Sequence, residues 1–88
     1  MLYPVFSFDD GTEITASKPD ENNKILLYVE KFDESKDEFI NATFILPGMK
    51  LQSSYGYDEQ ALEEIIRKYS VIQEDIISYV NEKGRRSA

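Results

Sequence analysis

The chain has 88 residues, 17 acidic against 10 basic side chains, a formal net charge of −7, and neither histidine nor cysteine. The length fits one domain. Without cysteine there is no disulfide framework, thiolate metal site or cysteine nucleophile, and without histidine no imidazole base and no Ser-His-Asp triad.

The first half reads as strands. Leu2 to Phe8 is rich in β-formers, with Leu2, Phe6 and Phe8 assigned to one face and Tyr3, Val5 and Ser7 to the other. Pro4 lacks a ladder donor, so this strand belongs at a sheet edge. Asp10-Gly11 is the strongest hairpin signal, because Gly supplies a positive φ and Asp tolerates one. Thr12, Ile14 and Ala16 then alternate with Glu13, Thr15 and Ser17, the pattern of a half-exposed strand. Residues 18–23 form a polar loop, 24–32 the most apolar strand, 33–37 a second polar turn, and 38–46 a fourth strand ended by Pro47-Gly48. Every connection is too short for a helical crossover, which predicts an antiparallel meander. Residues 47–57 read as irregular.

From Asp58 the apolar spacing changes to that of a helix. Leu62, Ile65, Ile66 and Tyr69 make one stripe, and Ile72, Ile76, Ile77 and Val80 continue it. Ser70 followed by Gln73 fits a capping box, which favours two helices breaking near 69–70 over a single bent one. Gly84 is a natural stop. The fold class expected is therefore α+β: a four-stranded antiparallel meander followed by two C-terminal helices packed on one face. One domain spans 1–84, with 85–88 as a short, disordered basic tail.

No constellation of catalytic type emerges. Asp9-Asp10 reads as turn chemistry, since neighbouring strand residues point to opposite faces. Asp33, Ser35 and Asp37 have the spacing of a calcium loop's first ligands, but Glu38 stands where that loop needs Gly, and Phe44 where it needs Glu. Glu63–Arg67 and Glu64–Lys68 read as i,i+4 surface pairs. The serines lie in no nucleophile elbow and have no imidazole to activate them. No cofactor, metal or catalytic residue is predicted. Net charge and the lack of a basic stripe make nucleic acid an unlikely partner. Met1-Leu2-Tyr3-Pro4 lacks the basic start of a signal peptide, and no stretch is long enough to span a membrane, so a cytosolic protein is expected.

A contact surface is the best-supported functional feature. The third strand is apolar on both faces, with Ile25, Leu27 and Val29 on one and Leu26, Tyr28 and Phe32 on the other. The fourth has Phe39 and Ile45 opposite its main apolar face. Two helices cover only one face of a sheet, so the 47–57 loop or another chain must shield the second. Phe39, Ile45, Ile25, Leu27 and Val29 are the candidate partner-binding residues. Tyr55 and Tyr57 join them, although they read equally as staples for the helix start.

Leu46-Pro47-Gly48, a polar stretch, and then Tyr57-Asp58-Glu59-Gln60-Ala61-Leu62 resemble the sheet-to-helix passage of HicB-type antitoxins. Those are small sheet-plus-helix proteins that neutralise an RNA-cutting toxin. The resemblance covers less than a quarter of the chain, the long strand 24–32 departs from it, and no site residue is carried over. It implies a regulatory protein that binds a basic partner. The leading expectation is a non-enzymatic protein-interaction module, homodimeric through the second sheet face. The antitoxin-like reading follows it, and a hydroxyl- or carboxylate-based enzyme comes third. The expected partner is a protein, either a second copy or a basic one, with no membrane and no small molecule.

Overall fold

Five strands and then two helices follow one another in the computed structural model, which describes residues 2–86. The strands are β1 (Leu2–Ser7), β2 (Glu13–Ser17), β3 (Ile25–Asp33), β4 (Glu38–Leu46) and β5 (Lys50–Tyr55); the helices are α1 (Glu59–Ser70) and α2 (Gln73–Arg86). The sheet order is β1-β2-β3-β4-β5, every neighbouring pair antiparallel. This is an α+β meander with one strand more than the hydropathy pattern predicts. The missed strand is β5, whose six residues are all exposed. An edge strand covered on neither face has no apolar alternation to announce it, and its backbone pairing with β4 is what makes it a strand.

The acidic turns are built as their composition implies. Asp10 Oδ1 accepts the Thr12 N–H at 2.9 Å, and Gly11 takes φ +91°. Asp20 Oδ1 accepts from Asn22 N at 2.8 Å and Lys24 N at 2.9 Å, with Asn23 at φ +63°. Asp33 Oδ1 accepts from Ser35 N at 3.0 Å and Ser35 Oγ at 2.6 Å. Each short polar side chain replaces a backbone partner that the reversing chain has lost.

One sheet face carries the core. Ile14 and Ala16 of β2, Ile25, Leu27 and Val29 of β3, and Ala42, Phe44 and Leu46 of β4 are each at most 2% exposed. Tyr69, Ile76 and Val80 close over them from the helices, flanked by Leu62, Ile65, Ile66, Ile72 and Ile77. The helical stripe read from the sequence is thus the face that packs on the sheet.

Several local expectations are corrected. In β1, Tyr3 pairs with Ala16 and Phe6 with Ile14, with a bulge between Pro4 and Phe6. Tyr3 is buried and Val5 packs against the core, as their shared face predicts, and Phe6 stays 42% exposed, but Phe8 packs on the core instead of staying with Phe6. An inserted residue shifts the pairing beyond it, which a strict period of two cannot anticipate. The helix break is present, but the capping box is not. Ser70 still lies inside α1, and its hydroxyl donates back to the Ile66 carbonyl. Gln73 Nε2 donates to the Ser70 carbonyl at 3.3 Å, while its Oε1 accepts the Gly48 N–H at 2.7 Å, tying the start of α2 to the β4–β5 turn. Asp58 caps α1 by accepting the Ala61 N–H at 2.8 Å. Neither Glu63–Arg67 nor Glu64–Lys68 comes within ion-pair distance. Helix α2 runs past Gly84 to Arg86, so the first two residues of the expected tail are helical. Ser87 and Ala88 lie outside the described residues.

Gly56 links β5 to α1 at φ +89°, and a Cβ placed there would lie 2.1 Å from Ile40 Cγ2. Gly56→Ala therefore combines a disfavoured backbone with a clash against a core side chain. We expect it to lower stability by about 1–3 kcal/mol or more, read from the urea midpoint. The turn carboxylates generate a second prediction. Hydrogen bonds from Thr12 and Ser35 hold Asp10 and Asp33 below the ordinary carboxyl value of 3.8. A depressed folded pKa contributes stability above 3.8 that is lost as pH falls through the folded value. The double variant Asp10→Ala/Asp33→Ala should melt below the parent near neutral pH, and the gap in melting temperature should close in strong acid.

Candidate functional site

The sheet face turned away from the helices is a surface of mixed chemistry. Register places Leu26 beside Ile45 and Lys50 at one end. Thr15, Tyr28, Thr43 and Ser53 form the next row, and Glu13, Glu30, Asn41 and Tyr55 the one after it. Phe32 pairs with Phe39 at the far end, their rings edge-to-face with centroids 5.1 Å apart. Phe39 is 59% exposed, Tyr55 54% and Phe32 38%. A depression of about 300 Å³ opens between Leu26, Ile45, Gln52 and the 18–24 loop. Among the described residues no element lies over this face. The segment that sequence reading offered as a cover, 47–57, is instead spent on the turn, on β5 and on the entry to α1.

The electrostatics of the face are uneven. Glu13 and Glu30 are direct cross-strand neighbours, both exposed, and among the described residues no cation lies within ion-pair distance of either. Like charges in that position are destabilising. By contrast residues 39–57, which make up nearly all of β4 and β5, contain no acid and one base, Lys50. Tyr55 reaches along the sheet and its hydroxyl donates to Glu38 Oε2 at 2.8 Å. That hydrogen bond, followed by the Glu38 charge, raises the phenol above its usual value of 10.0.

Both sheet edges are guarded. Pro4 removes a donor from β1 and a bulge distorts it; in β5, Gln52 is the extra residue of a second bulge and Lys50 adds a charge. Such devices discourage strand addition. The face is therefore the part of the sheet left available for contact.

Of the candidate contact residues, Phe39, Ile45 and Tyr55 share this face, with Ile45 at the opposite end from Phe39. Ile25, Leu27 and Val29 are not there: they are 1%, 0% and 2% exposed, beneath the helices. Tyr57 also lies on the helix side, half-buried against the core at the position preceding the Asp58 cap. In their place Leu26, Tyr28 and Phe32 face outward. A strand apolar on both faces gives no sign of which face the helices take. The usable signal was in β4, where the polar residues Asn41 and Thr43 share a face with Phe39 and Ile45.

Comparison with known proteins adds no relative: no family profile fits the chain, and no curated protein or solved structure matches it significantly. The resemblance to HicB-type antitoxins stands on the residues of 46–62 alone.

Two predictions follow from the geometry of this face. Glu13→Lys replaces a cross-strand repulsion by an attraction to Glu30 and should raise stability by about 0.2–1 kcal/mol in urea unfolding, and less at high salt. Because the folded Tyr55 pKa is raised, its bond to Glu38 stabilises below 10.0, and that contribution is lost as pH rises through the folded value. In a spectrophotometric tyrosine titration, Tyr55→Phe should remove a late-ionising phenol.

Proposed function

We propose that this protein is a small non-enzymatic interaction module acting in the cytosol, with the open sheet face as its contact surface and a second copy of the chain as its first partner. One observation carries the reading: the Phe32–Phe39 pair stands exposed on a face that no element covers. Aromatic residues on an exposed sheet contribute more when buried against a partner than when left in water. Guarded edges direct association to the face. Among the described residues no helix is long and apolar enough to cross a membrane.

A second reading rests on the Glu13–Glu30 pair. An uncompensated carboxylate pair beside exposed aromatics suits a basic protein, which would relieve the repulsion as it binds. This is the regulatory, antitoxin-like alternative.

Sedimentation equilibrium over a wide concentration range tests the first reading. The parent should dimerise, and Phe39→Asp should be monomeric with its stability nearly unchanged, since Phe39 is 59% exposed. A parent that stays monomeric at millimolar concentration would remove the second copy as partner. The basic-partner reading predicts a stoichiometric complex that is lost in both Phe39→Asp and Glu30→Lys.

A further inference from the structure

A separate cavity lies on the opposite side of the sheet, where α1 passes over the β1–β2 turn and β3. It has a volume of about 250 Å³, and Tyr57, Tyr69, Lys31, Lys68, Asp10 and Glu64 contribute to its wall, with Val29 and Ile65 also lining it. Tyr69 is 4% exposed, yet its hydroxyl makes no hydrogen bond. No buried side-chain oxygen or nitrogen lacks a partner among the described residues, so the phenol oxygen must be the part of Tyr69 that still reaches open space. Buried phenols ordinarily find an acceptor or donor. Tyr69 lines the cavity, and the charge that acts on its phenol is that of Asp10, another residue of the same wall. The Tyr57 hydroxyl, half-buried in the same wall, is likewise unbonded.

The charges in the wall balance. Lys31 Nζ lies 3.7 Å from Asp10 Oδ2. Among the described residues Lys68 has no carboxylate partner, and its Nζ sits 4.9 Å from the Phe8 ring centroid and 5.8 Å from that of Tyr69. Glu64 has no ion-pair partner among the described residues either. Desolvation first, and then the Asp10 charge, hold both phenols in their protonated form well past neutral pH. With Lys31 and Asp10 paired, the wall leaves the Lys68 ammonium and two phenols on one side and the Glu64 carboxylate on the other. A simple anion or a simple cation satisfies half of this wall, whereas a molecule bearing both charges satisfies all of it. The volume lies below the roughly 300 Å³ at which pockets for drug-sized ligands begin.

We infer that this cavity binds a small zwitterion of the free amino-acid class. Its carboxylate accepts from Tyr69, Tyr57 and Lys68, its ammonium donates to Glu64 and Asp10, and its apolar part rests on Val29 and Ile65. The site lies across the sheet from the open face and does not depend on the interaction reading.

Amide correlation spectra of the full chain test the inference, followed at Gly11 and Ala61. The probes are L-leucine, L-glutamate and L-lysine, with acetate and methylammonium as single-charge comparators. The expected result is a saturable shift with at least one amino acid and neither comparator. It should weaken about tenfold in Tyr69→Phe and in Lys68→Gln and persist in Phe39→Asp. Tyr57→Phe serves if Tyr69→Phe fails to fold. No saturable shift with any amino acid, an equal shift with acetate alone, or binding unaffected by the phenol and Lys68 substitutions would overturn it.

Discussion

Strand β3 sits at the centre of the sheet and is apolar on both sides, while the chain supplies helices for one side only. The rest of the structure follows from how that mismatch is resolved. Ile25, Leu27 and Val29 take the covered side, and the helices bury them under Tyr69, Ile76 and Val80. Leu26, Tyr28 and Phe32 are left to the other side, where they meet Ile45 and Phe39 across the ladder. Hydrophobic burial is proportional to area removed from water, so it favours packing the more continuous face of β4, that of Ala42, Phe44 and Leu46. The broken face, with Asn41 and Thr43, is the one that can remain in water.

The same division organises the polar chemistry. On the covered side, the polar residues at the edge of the core tie elements together. Gln73 holds the β4–β5 turn, and Tyr79 donates from α2 to the Pro4 carbonyl of β1 at 2.8 Å. At the end of that layer the packing stops short, leaving the cavity under the first helix with two phenols at its wall. On the open side, the polar residues make few contacts beyond their own strands; Tyr55 donates to Glu38, and Ser17 Oγ accepts the Leu26 N–H at 2.9 Å. Acidic residues there, Glu13 and Glu30, face water and one another. The acidic residues behind the net charge of −7 thus include turn carboxylates held by local hydrogen bonds, the carboxylates of the two helices, and the sheet pair Glu13 and Glu30, which has no ion-pair partner among the described residues.

Edge protection gives the open face its significance. An exposed apolar sheet face beside an unguarded edge invites strand addition and aggregation. Here Pro4, the two bulges and Lys50 close the edges to further pairing while the face stays open. A surface arranged in that way suits face-on contact, whether with a second copy or with a basic protein.

The amino-acid sequence by itself determined those features whose physics is local. Positive-φ turns at Asp10-Gly11 and Asn23, the edge placement of the Pro4 strand, the alternation of β2, the bounds of β4 and the stripe of the two helices all follow from a few adjacent residues. Only the tertiary structure decided the rest. The fifth strand exists because β4 offers it a ladder, not because Lys50–Tyr55 is apolar. The bulge in β1 shifted its pairing with β2, and Phe8 packs on the core while Phe6 stays exposed. Above all, the side of β3 that meets the helices depended on which face of β4 was continuous, a comparison between strands that neither strand's pattern contains. For that reason Phe39, Ile45 and Tyr55 were read on the face that the structure leaves open, whereas Ile25, Leu27, Val29 and Tyr57 lie on the helix side.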